Sequence, residues 1–283
     1  MSFDVEDFRS HFPILEEEIN GHPLVYFDSG ASSLKPKEVA ETIYTYYIKE
    51  SSNIHRGAHT LSRKGTERYE AVRNLVAQFI NSKSSNEIVF TRGVTESVNL
   101  LMYSYAMENM SKGDVVLVSP FEHHSNVVPW HLLSEKCGCD IQILPVDQNG
   151  QVDQEKMEAL FSSGKVKLVS LMMYSNVTGV RLDIETVIEC ARKHKAVSFV
   201  DAAQAVLYEK IDVTELNCDF LTFSSHKMLG PYGIGVLYGK KELLDQMSPF
   251  HGGGSMISQV SWSDVVYQDT PHKFEAGTPS IAD

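Results

Sequence analysis

Residues 220–227 read Phe-Leu-Thr-Phe-Ser-Ser-His-Lys, and residues 196–201 upstream read Ala-Val-Ser-Phe-Val-Asp. In each, a largely apolar run ends on polar side chains able to do chemistry. Runs that are apolar at successive positions, without alternation, mark strands covered on both faces. Outward from this pair, comparable runs stand at 88–90, 115–119, 141–146, 166–174 and 234–238, beside 196–200 and 220–224 themselves. Helical periodicity fills the intervals at 94–107, 127–136, 154–161 and 184–194. This alternation predicts an α/β fold, a mostly parallel sheet sandwiched by helices and joined by right-handed crossovers. Ligands in such sheets bind beyond the carboxyl ends of the strands.

Composition narrows the field. The chain has 283 residues, 42% hydrophobic and 22% charged, enough for one large domain or two small ones with a self-sufficient core. A net charge of −12 argues against a nucleic-acid surface and against docking on anionic lipid. No run approaches the ~20 apolar residues of a membrane span. The acidic start, Met1 to Asp7, lacks the basic and apolar regions of a signal peptide, so a cytoplasmic protein is expected. Cys137, Cys139, Cys190 and Cys218 show no zinc-site spacing and read as buried thiols. His55-x-x-x-His59 lacks the adjacent glutamate and third ligand of a zinc protease, and no metal is expected. Gly230, Gly233 and Gly235 precede a strand, which excludes a dinucleotide fingerprint. His251-Gly252-Gly253-Gly254 has no Gly-x-Ser-x-Gly elbow to accompany it.

Three strand ends carry groups that would converge: Asp201-Ala202-Ala203-Gln204, Ser224-Ser225-His226-Lys227, and Ser119 to His124. Taken singly, Lys227 reads equally as a solvated lysine, Asp201 and Thr95 as helix caps, and His123 as a loop histidine. Together they match the parts that pyridoxal 5′-phosphate chemistry requires. A lysine forms the imine, a carboxylate keeps the pyridine nitrogen protonated, and an imidazole covers the ring. Thr91-Arg92-Gly93-Val94-Thr95-Glu96-Ser97, between a strand and a helix, supplies phosphate donors, to which Ser224 and His226 add.

Eight ordered stretches resemble the fold-type I pyridoxal-phosphate enzymes of the class V aminotransferase and cysteine desulfurase family, nearest the SufS-like branch. They are Tyr26 to Ala31, Asn53 to His59, Phe90 to Ser97, Glu122 to Asn126, Ser175 to Gly179, Asp201 to Ala205, Phe223 to Pro231 and Phe274 to Pro279. The resemblance implies that Lys227 carries the cofactor, Asp201 pairs with its pyridinium, and His123 stacks on the ring and transfers protons. It further implies that Gln204 bonds the phenolate oxygen, while Thr95, Ser224 and His226 hold the phosphate. Asn176 is similar to a substrate-binding asparagine, and His55 and Arg56 to a loop lining the substrate entrance. Thr278 resembles a residue reaching the phosphate in the other subunit, which implies a homodimer. Leu207-Tyr208 departs from the family's Pro-His.

The activity so implied is conversion of L-cysteine to L-alanine, with persulfide sulfur passed to an acceptor protein for iron–sulfur cluster assembly. None of the four cysteines resembles the family's nucleophile, and the carboxylate-binding arginine also has no counterpart. Residues 1–22 are expected to form a helical arm and 23–283 the cofactor-binding large domain, ending before a C-terminal small domain. A short strand is expected at 24–27, and Thr278-Pro279 has the form of a helix start. Transamination, selenocysteine lyase activity and a non-catalytic scaffold stand as the alternatives.

Overall fold

The computed structural model describes residues 3–283. Its centre is a seven-stranded sheet. In chain order the strands are β1 (Ile88–Thr91), β2 (Val115–Val118), β3 (Asp140–Ile143), β4 (Val166–Met172), β5 (Val197–Asp201), β6 (Phe220–Ser224) and β7 (Gly235–Gly239). They lie in the order β1-β7-β6-β5-β4-β2-β3. β7 runs antiparallel to both its neighbours, β1 and β6; the pairs β6–β5, β5–β4, β4–β2 and β2–β3 are parallel.

The uninterrupted apolar runs have the expected cause, since helices cover both faces. Val115 and Leu117 point into one core with Phe161 and Ile188, while Val116 and Val118 point into the other with Trp130 and Leu133. The principal helices are α1 (Thr60–Phe79), α2 (Val94–Leu101), α3 (Val128–Cys137), α4 (Gln154–Ser162) and α5 (Ile184–Lys193). Asp153 and Asp183 cap α4 and α5 by accepting from the backbone N–H groups of Lys156 and Thr186 at 3.1 and 3.3 Å. Gly138, in the left-handed region at φ 74°, ends α3.

Three expectations need correction. Residues 24–27 are not a strand: the Leu24 N–H donates to the Glu17 carbonyl at 3.0 Å, but Val25 and Phe27 are exposed and pair with no strand among the described residues. The arm at 1–22 is helical only over Val5–Arg9 and the 3-10 turn Pro13–Glu16, and a tight hairpin joins Glu18–Ile19 to His22–Pro23; residues 1–2 lie outside the described residues. No helix follows Thr278, since the few residues after it do not close a helical turn's hydrogen bonds. The run 94–107 is helical throughout, with a π turn at Met102–Ala106. No helix among the described residues is long and apolar enough to cross a membrane.

Candidate active site

A cavity of about 730 Å³ opens at the carboxyl ends of the parallel strands. Eight of the residues singled out from the sequence line it: Thr95, His123, Asn176, Asp201, Gln204, Ser224, His226 and Lys227. Asp201 closes β5, where it stands level with Met172 of β4 and Thr222 of β6. Ser224 closes β6, and the 3-10 turn Ser225–Lys227 follows it directly. His123 arrives on the loop after β2.

The electrostatics of the core trio follow from burial. Asp201 is 4% exposed, and desolvation raises its carboxyl pKa against the backbone N–H of Ala203, which donates to Oδ1 at 2.9 Å, and against the charge of Lys227. Desolvation lowers the pKa of the Lys227 amine, with Asp201 opposing it. The His123 imidazole is lowered by desolvation and then by Lys227. Its Nδ1 accepts from the backbone N–H of Ser125 at 3.2 Å, so the neutral ring carries its proton on Nε2.

Beside this trio the start of α2 and the end of β6 form a cradle. Gly93 has φ +145°, and a Cβ there would meet Ser224 Oγ at 3.3 Å. The next N–H, of Val94, donates to Ser224 Oγ at 3.0 Å at the start of α2. Thr95 follows in the first turn. His226 presents a buried Nδ1 with no hydrogen-bond partner among the described residues. Its ring stacks on Tyr232 at 5.7 Å. Gln204 is 7% exposed and donates one amide hydrogen to the Gly30 carbonyl at 2.6 Å.

Several supporting residues had no signal of their own in the sequence. The carbonyl of His226 accepts from the backbone N–H of Ser33 and from Lys35 Nζ, both at 3.0 Å, and Ser33 Oγ accepts from the Leu229 N–H at 2.8 Å. These bonds fasten the early loop to the Lys227 turn across nearly two hundred residues of chain. Glu122, next to His123, accepts from Ser119 Oγ at 2.5 Å, the Met172 N–H at 2.8 Å and Asn126 Nδ2 at 2.6 Å. Desolvation pushes its carboxyl up to about 8 against those donors. In the sequence Glu122 stood out only as the first residue of the stretch Glu122 to Asn126, beside His123.

Three expected site residues lie elsewhere. His55 and Arg56 line a separate hollow with His272 and Glu275, where His55 Nε2 meets Glu70 Oε1 at 2.9 Å. Thr278 lines a neighbouring groove of about 830 Å³ that shares Arg92, Glu96 and His251 with the cavity. The spacing His55-x-x-x-His59 is not helical, because 51–59 is an irregular loop in which His59 instead caps α1.

All four cysteines are free, and none lines the cavity. Desolvation pushes the thiols of Cys139 and Cys218 up to about 12 and that of Cys190 up to about 11, the opposite of nucleophile activation.

The sequence profile of the family described as "Aminotransferase class-V" matches residues 25–283. A cysteine desulfurase of Synechococcus elongatus is 44% identical over the whole chain, which spans 45% of that protein. A probable cysteine desulfurase of Synechocystis is 46% identical, with 97% of this chain covering 65% of it, and one of Halalkalibacterium halodurans is 44% identical, with 99% covering 68%. The chain thus spans between about half and two thirds of the length of these relatives. Among solved structures, the cysteine desulfurase CsdA of Escherichia coli superposes with a TM-score of 0.90 at 39% identity, over all of this chain and 69% of its own. The apo cysteine desulfurase of Thermococcus onnurineus superposes at 0.92 and 37% identity, over all of this chain and 68% of its own.

Proposed function

The chain belongs to the aminotransferase class-V family, and on that premise we propose that it is the cofactor-binding part of a pyridoxal-phosphate-dependent cysteine desulfurase. The observation that carries the reading is the meeting of Lys227, Asp201 and His123 in one cavity beside the unpartnered Nδ1 of His226.

The residues present fit the cofactor. A buried imidazole nitrogen without a partner is costly unless a ligand satisfies it, and a phosphate oxygen does so. Thr95, Ser224 and His226 would hold that phosphate, with the Val94 N–H fixing the Ser224 hydroxyl. Asp201, whose burial calls for a positive partner, would hold a protonated ring nitrogen, and Gln204 and His123 would bond and cover the ring. When bound, the cofactor supplies an electron-poor ring that stabilises negative charge at a substrate's α-carbon.

The chain's own groups then do acid–base work. The lowered pKa of Lys227 leaves more of the Nζ amine neutral, able to attach the cofactor and afterwards to move the α-proton. His123 offers its Nε2 proton, and Asn176 at the rim would hold the substrate's carboxylate side. Overall, L-cysteine and a thiol would give L-alanine and a persulfide, with the sulfur handed to an acceptor protein serving iron–sulfur cluster assembly. The thiol would come from outside the described cavity.

Thr278, His55 and Arg56 stand apart from this chain's own cavity, which supports a homodimer in which they serve the partner's site. Residues 23–283 would form the large domain, with the free cysteines favouring a cytoplasmic setting. Transamination, which uses the same lysine and carboxylate, is the second reading.

The test is incubation with pyridoxal 5′-phosphate, then borohydride reduction and peptide mapping of one portion and addition of L-cysteine to a second, unreduced portion. A label on Lys227, lost in Lys227→Ala, together with release of alanine, supports the proposal. A label elsewhere rejects the site, and a keto acid in place of alanine moves the second reading forward.

A further inference from the structure

Away from the cavity, Glu158 on α4, Cys190 on α5 and His194 just beyond it bring three ligand atoms together. A carboxylate oxygen, a sulfur and an imidazole nitrogen all lie within 4.8 Å of one another. His194 Nε2 stands 2.9 Å from Glu158 Oε1, and Cys190 Sγ stands 3.5 Å from Glu158 Oε2. Cys190 and His194 are four residues apart, about one helical turn, and so share a face. We infer that Glu158, Cys190 and His194 form a binding site for a divalent cation of the zinc class, with solvent in the fourth position.

Both the donor set and the spacing favour this ion. One soft sulfur, one imidazole and one carboxylate suit a borderline cation and not the oxygen-seeking calcium or magnesium. Tetrahedral zinc with bonds of about 2.0–2.3 Å sets its ligands about 3.4–3.6 Å apart, so the trio needs only small side-chain adjustments. The Phe161 ring lies 5.6 Å from that of His194 and restricts its tilt.

The second three-ligand cluster, His55, Glu70 and His272, lacks one of these advantages. There the Arg73 guanidinium, 2% exposed, bonds Glu70 at 2.9 and 3.4 Å and cannot withdraw, so it repels a cation. At Glu158 the competing cation is Lys193, whose Nζ lies at 2.7 Å on a side chain 65% exposed. That ammonium can swing into water. Binding would form the metal–sulfur bond, release the thiol proton to solvent and replace the Lys193–Glu158 contact. The site shares no residue with the cavity and would clip α4 to α5.

The test is titration of the full chain with cobalt(II), read as a thiolate-to-metal charge-transfer band in difference spectra and then displaced by zinc. The wild type should give the band, while Cys190→Ser and His194→Gln should each weaken binding at least about tenfold. Lys193→Ala, a surface change that leaves folding alone, should tighten binding several-fold by removing the competitor for Glu158. No thiolate band, a band unchanged in both ligand variants, or no tightening in Lys193→Ala overturns the site.

Discussion

A side chain on Gly235 would place its Cβ 2.5 Å from the Cα of Gly93 and 2.8 Å from its nitrogen. The two backbones touch where β7 pairs with β1, at the residue pair Thr91 and Gly235. This contact presses the glycine that opens α2 against the end of β6, and so shapes the cradle between them.

Gly235→Ala should therefore displace Gly93 and weaken retention of pyridoxal 5′-phosphate by about tenfold or more, with a modest fall in thermal stability. Equilibrium dialysis of the cofactor is the check. Unchanged affinity would mean that the cradle does not depend on this approach.

Covalent attachment needs the neutral amine of Lys227, so its rate should rise with pH through the pKa of that group. Because desolvation lowers this pKa, the midpoint should fall below that of a free lysine. Asp201→Asn keeps an acceptor for the Ala203 N–H but removes the charge that holds the amine's pKa up. Its midpoint should move lower still. Borohydride trapping across a pH series reads both, and identical midpoints in the two proteins would separate Asp201 from Lys227.

Glu122 links pH to stability with a definite sign. Its folded pKa, raised to about 8, lies above the unfolded value, so between the two the native state holds the extra proton. Stability from this group is full below the unfolded pKa and is lost as pH rises through about 8. Glu122→Gln should flatten that loss, which amounts to a few kcal/mol at most. Urea midpoints from about pH 5 to about pH 9 measure it; parallel slopes in both proteins would assign the pH dependence elsewhere.

Arg73 is 2% exposed and bonds Glu275 at 2.6 and 2.9 Å and the Ile88 carbonyl at 2.9 Å. Glu275 in turn accepts from the Phe90 N–H at 2.7 Å, tying the segment before Thr278 to β1. Arg73→Ala leaves that carboxylate buried and without its cation, at a cost of about 3–5 kcal/mol. Arg73→Met with Glu275→Gln should recover part of the loss. Chemical denaturation decides, and a cost near zero for the single variant would mean that water reaches the carboxylate.

Much of the sheet was legible because hydropathy and strand-end chemistry are local properties. Each of the seven strands expected from residue 88 onward overlaps an observed one, with Phe220–Ser224 matched at both ends. The furthest error in the sheet is at 141–146, where β3 stops at Ile143 and Val146 forms only an isolated bridge to Val152. The apolar run 24–27 misled for a reason that local pattern cannot reveal: a strand needs a neighbour to accept its hydrogen bonds. The cysteines were read correctly as unpaired and mostly buried.

By itself the sequence determined the layered α/β architecture and the side chains that end each strand, since side-chain period and polarity dictate which face is covered. It also carried the order of motifs that marks the family. Only the tertiary structure decided which motifs meet: Asp201, Lys227 and His123 in one cavity, with His55, Arg56 and Thr278 outside it. It alone revealed the bonds from Ser33 and Lys35 to the Lys227 turn, the approach of Gly235 to Gly93, and the trio at Glu158. Those depend on distances between residues far apart in the chain, which are set by how the sheet twists and the helices pack, and no local pattern of residues encodes them.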